Sequence, residues 1–151
     1  MADIKGRVLF LDTDSYGREK GHSDLGAGSS TGLRATANGF VGALDDGTLV
    51  LLPNAGGAPV WTTPMPGKVL FTPLVRGPDK KDKNSVGTAI VCCELQSNNY
   101  VLIAVNLKDG SLLWRGRLSS KPITGAIGSD AVYIGTSDNE LMKFDFTMSG
   151  N

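Results

Sequence analysis

Short Val/Ile/Leu-rich runs separated by turn-forming residues recur along the chain, a pattern that predicts many strands joined by tight turns. Three times, a strand rich in small residues is followed by a more hydrophobic one: FVGAL (from Phe40) by TLVLL, TAIVCCEL (from Thr88) by YVLIAV, and AVYIGTS (from Ala131) by ELMKFDF. The links DDG, QSNN and SDN carry the Asp/Asn/Gly chemistry that supplies positive φ at low steric cost, so each pair predicts a hairpin. A longer period contains these hairpins. TTPMPGKVLFTPLV after Trp61 lies over RGRLSSKPITGAIG after Trp114 without a gap, which sets Met65 on Leu118, Leu70 on Ile123 and Leu74 on Ile127.

The repeating unit is therefore four strands, A to D, with a tryptophan on strand D. Units fall at residues 33–63, 69–117 and 123–151, and the third reaches TMSGN without a fourth strand. An orphan apolar run, GRVLFLD at residues 6–12, precedes the first unit and reads as that missing D strand, through Val8, Leu9, Phe10 and Leu11. The expectation is an all-β fold with β-propeller blades of four antiparallel strands. About three blades form one partial or half propeller over residues 1–151, the last completed by the N-terminal strand. Two stretches interrupt the regularity, one from Tyr16 to Gly32 and one from Arg76 to Gly87. Both are rich in glycine, serine or charge and read as exposed, mobile connections.

Composition narrows the function. A chain of 151 residues suits one domain. Its fifteen basic residues cancel fifteen acidic ones, which argues against a nucleic-acid partner. Its apolar runs are well short of the roughly 18 residues of a membrane helix. The N-terminus MADIKGRVLFLD lacks the apolar stretch and cleavage site of a secretory signal. A cytoplasmic protein is expected, provided no leader has been removed.

Candidate chemistry is sparse. Cys92 and Cys93 are neighbours on one strand and point to opposite faces, so they read as two buried thiols. His22, the one histidine, lies in a polar stretch and reads as an exposed loop residue. Asp12 and Asp14 sit at alternate positions, suited to a turn or to a shared cation; Asp45 and Asp46 belong to a hairpin turn. GAGSSTG, from Gly26, lacks the lysine of a phosphate loop.

AVNLKDGSLLW, residues 104–114, resembles the repeat signature A-x-D-x-x-T-G-K-x-x-W of quinoprotein-type (PQQ-like) β-propellers. Ala104, Gly110 and Trp114 match, whereas Asn106, Asp109 and Ser111 replace the acid, threonine and lysine. AVYIGTSDNELMKFD is similar to a second family stretch at Val132, Tyr133, Gly135, Asp138, Leu141 and Asp145. The resemblance implies that Trp61 and Trp114 are structural, each lying against a glycine-containing turn of the neighbouring blade.

It also implies two very different functions. Quinoprotein dehydrogenases bind pyrroloquinoline quinone and calcium and carry a vicinal disulfide, which the Cys92–Cys93 pair resembles only in part. Non-catalytic relatives use the same blades as platforms for protein contacts. The expectation is a non-enzymatic interaction or scaffold module without cofactor. A sugar-binding oligomeric propeller and a dehydrogenase fragment are the alternatives. Known propellers have roughly four to eight blades, so three need company. The expected partner is a second copy, with a dimer favoured, or another chain that supplies the remaining blades.

Overall fold

The computed structural model describes residues 6–146, and every regular element in them is a strand. Among these residues no helix is long and apolar enough to cross a membrane. β1 (Arg7–Asp12) and β2 (Arg18–Asp24) form an antiparallel pair. β3 (Arg34–Thr36), β4 (Gly39–Ala43), β5 (Thr48–Leu52) and β6 (Trp61–Pro64) form a second sheet in chain order. In the third sheet an inner strand broken into β7 (Lys68–Val69) and β8 (Leu74–Arg76) pairs with β9 (Thr88–Glu94), followed by β10 (Tyr100–Asn106) and β11 (Leu112–Leu118). β12 (Pro122–Ile127), β13 (Ala131–Thr136) and β14 (Leu141–Asp145) form the fourth.

The sheets are held together face to face. Six of the seven β9 residues are buried, because both faces of the strand meet a neighbouring sheet. Its side chains divide by parity, as the pleat requires. Ala89, Val91 and Cys93 join a core with Leu49, Leu51 and Trp61 of the second sheet, while Ile90 and Cys92 join one with Val132 and Ile134 of the fourth. β5 divides in the same way. Leu49 and Leu51 face the third sheet, and Val50 and Leu52 pack with Val8 and Phe10 of the first. Each fully buried Val, Leu or Ile contributes about 1.5 to 3 kcal/mol, so these three cores dominate cohesion.

Turn chemistry sets the register. Gly47, Ser97, Asn98 and Asn139 in the three B–C hairpins all have positive φ (86°, 37°, 66° and 62°). At the C–D turn of the third sheet, the Asn106 carboxamide accepts the Lys108 amide at 2.9 Å, and the Gly110 amide donates to the Asn106 carbonyl at 2.8 Å.

The same construction appears between β1 and β2, and it corrects the sequence reading. There the Asp12 carboxylate accepts the Asp14 amide at 3.0 Å, and the Gly17 amide donates to the Asp12 carbonyl at 2.9 Å. Residues 6–12 thus form a C strand, not a D strand. β1 pairs with β2, and the N-terminal strand does not complete the last sheet of its own chain: β14 is hydrogen-bonded to β13 alone among the described residues. Val8 and Phe10 are buried, Leu9 is half-buried and Leu11 is exposed. The supposed loop from Tyr16 contains β2, and His22 lies on that strand, exposed as expected, with Nδ1 3.0 Å from Oε1 of Glu19. TMSGN begins at Thr147 and lies outside the described residues.

Candidate functional site

The contact that recurs between sheets is a D-strand residue set on the next sheet's C–D turn. Trp61 opens β6 opposite Leu51, and its ring lies on the turn after β10. Its Nε1–H donates to the Leu107 carbonyl at 3.0 Å, and the Thr63 hydroxyl donates to the Gly110 carbonyl at 2.6 Å. Gly110 is required there on two counts. Its φ is +77°, and a Cβ would stand 2.7 Å from Cε3 of Trp61 and 2.6 Å from Oγ1 of Thr63.

One interface earlier the arrangement is kept with different side chains. The Ser23 hydroxyl donates to the Gly57 carbonyl at 2.6 Å, as Thr63 does to Gly110, but Gly21 stands where Trp61 would. A Cβ on Gly21 would lie 2.5 Å from the Ala55 carbonyl oxygen, so main chain meets main chain. Bulk has moved to the strand partner. Gly21 pairs with Phe10, whereas Trp114 pairs with Ala104. In the third interface Trp114 is 8% exposed and shares a core with Ala104 and Phe144. Gly135 lies on β13, where a Cβ would meet the Thr124 side chain at 2.8 Å.

The two cysteines sit on opposite faces of β9, both free and buried. Burial lifts the Cys93 thiol from 9.0 to about 12, and burial together with the adjoining Cys93 lifts Cys92 further. Both therefore stay protonated. A thiol whose folded value is raised stabilises the fold fully below its unfolded value near 9.0, and that contribution is lost as pH climbs toward about 12. Ellman's reagent at about pH 8 is expected to find neither thiol in the folded protein and both in denaturant; prompt reaction of the folded protein would contradict this burial.

Several concavities open on the surface, and two of them reach β11. A cleft of about 780 Å³ between the third and fourth sheets is lined by Asp79, Asp82, Asp130 and Asp145 together with Arg76 and Phe146. Asp79 and Asp82 accept amides of their own loop, and the other charges also have partners. Arg76 lies 4.1 Å over the Phe146 ring and donates to the Ser129 carbonyl, while Lys143 bridges Asp130 at 3.3 Å and Asp145 at 3.1 Å. Those carboxylates hold the Lys143 ammonium above its usual range. A groove of about 570 Å³ between the rims of the second and third sheets is apolar except for Arg115.

Among the described residues no group of three or more His, Cys, Asp or Glu side chains is placed to hold a metal ion. Asp12 serves its own turn; with the Asp14 amide first among the causes, its carboxyl is held below the usual range. His22, on β2, meets the carboxylates of Glu19 and Asp24.

Antiparallel sheets stacked face to face, with tryptophan and glycine meeting between them, define a β-propeller of PQQ-like repeats. The chain belongs to the family described as outer membrane protein assembly factor BamB, which matches residues 5–149. It is similar to the crystal structure of BamB from Moraxella catarrhalis at a TM-score of 0.75 and 16% identity, covering 99% of this chain and 42% of that one. The chain thus spans less than half the length of that structure. The computationally designed Ika8 protein matches at a TM-score of 0.45 and 11% identity, over 86% of this chain and 50% of the other. No curated protein sequence matches it.

Proposed function

We propose that this chain is a non-catalytic propeller module that works through protein contacts, and that further polypeptide, in the first place a second copy, completes its stack. One observation carries the reading. Every inner sheet face is closed by a neighbour, whereas the outward side of the fourth sheet leaves Leu141 73% and Ile123 62% exposed. Stacked sheets with an uncovered apolar end call for a cap. The role for which the family is named, an assembly factor, is one of contact between proteins, which favours a scaffold over turnover. A sugar platform is less well supported, because Trp61 and Trp114 are 9% and 8% exposed and offer no open ring face.

Light scattering after size exclusion tests the proposal against the chain mass of 15.8 kDa. The expected particle has twice that mass, with slow amide exchange in β14. A particle of one chain mass whose β14 amides are nevertheless as protected as those of β9 would contradict completion by any added polypeptide.

A further inference from the structure

We infer that the outer edge of β11, with the apolar groove beside it, docks an extended acidic segment of a partner protein. This rests on the reading of the chain as a protein-contact module. β11 is the outermost strand of the third sheet, seven residues long and free of proline. The matching outer strand of the second sheet, β6, has four residues and ends at Pro64, with Pro66 close behind. Proline cannot donate to a ladder, so the β6 edge is blunted, while β11, past a register shift at Leu113, keeps a regular row of main-chain groups from Trp114 to Leu118.

The side chains of β11 alternate. Trp114 and Leu118 turn into the core shared with the fourth sheet, which leaves Leu113, Arg115 and Arg117 on the other face. Arg115 and Arg117 pair across the sheet with Ile103 and Val101, both exposed and neither in an ion pair among the described residues. Beside them lies the groove of about 570 Å³, walled by Pro64, Met65 and Pro66 on one side and by Leu112 and Leu113 on the other. Leu112 and Leu113 remain 58% and 38% exposed.

These features specify an occupant. A strand added to β11 extends the sheet through its main chain and presents alternate side chains to the same face. One apolar residue enters the groove beside Leu113, and carboxylates at the next two positions on that face meet Arg115 and Arg117. The two cations repel a second β11 edge, so the site selects opposite charge and disfavours self-pairing.

The test uses the full chain and two labelled decapeptides, one alternating valine with glutamate and one alternating valine with lysine, read by fluorescence anisotropy. The glutamate peptide is expected to bind about tenfold more tightly than the lysine peptide, and to weaken as salt rises. Its amide shift changes should fall in residues 112–118. The double variant Arg115→Glu/Arg117→Glu should invert the preference, and the milder Arg115→Gln/Arg117→Gln should abolish it, with both keeping the parent urea midpoint. Failure of both peptides to bind, equal binding of the two, or shift changes confined to another surface would overturn the inference. The solution mass reads completion of the stack separately, so the two readings fail independently.

Discussion

Replacing Trp61 by alanine is expected to lower the unfolding free energy by about 3 to 5 kcal/mol, the range for emptying a large aromatic site. The ring is 9% exposed and sits in the core that joins the second and third sheets. Its loss opens a cavity between two faces that already pack against the rest of the molecule and can collapse only in part. It also strands the Leu107 carbonyl, which accepts the indole N–H at 3.0 Å. Urea denaturation followed by circular dichroism measures the change, with the slope expected to stay near that of the parent. A fall below about 1 kcal/mol, the size of an ordinary surface substitution, would show that the ring does not hold the two sheets. Trp114→Ala is expected to cost less, because the indole of Trp114 makes no hydrogen bond of this kind among the described residues.

The second large effect belongs to the other half of that contact. Gly110→Val is expected to destabilise by about 2 to 5 kcal/mol, as the sum of two penalties. A β-branched residue held at a φ of +77° pays about 1 to 2 kcal/mol for the left-handed backbone. Its Cβ, set 2.7 Å from the Trp61 ring, adds about 1 to 3 kcal/mol of overpacking. The control is Gly77→Val. Gly77 has no positive φ, and nothing lies within 4 Å of its would-be Cβ, so its substitution should leave the urea midpoint nearly unchanged. Equal behaviour of the two variants would remove the steric argument.

Much of this architecture is written in local signals that act over a few residues. The hairpin turns are legible because positive φ demands particular residues, and Gly47, Asn98 and Asn139 stand where it is needed. The opposite orientation of Cys92 and Cys93 follows from strand geometry alone. β2 escaped because REKGHSD shows no apolar alternation. It is an edge strand with a wet outer face, and its only fully buried residue is Ser23. The usual marker was missing too, since Gly21 replaces the tryptophan and Phe10 carries the bulk across the pair. One sign was available. Asp12 followed by Gly17 repeats the spacing of Asn106 and Gly110 with one extra residue in the turn, and the register shift after Phe10 matches the one after Ala104. The break between β7 and β8 falls around Pro73, which has no amide to donate. The β11 groove was not legible at all, because it joins residues 64–66 to residues 112–115 through a contact between sheets that no local pattern encodes.

The stack depends on a single meeting point, the indole of Trp61 laid on the turn that holds Gly110. With only two tryptophans in the chain, a nuclear Overhauser spectrum can read that contact directly. Cross-peaks between the Trp61 ring protons and the Gly110 α-protons, with the latter shifted upfield by the ring current, are the predicted result. Gly110 α-protons at random-coil positions and without cross-peaks to either indole would contradict it.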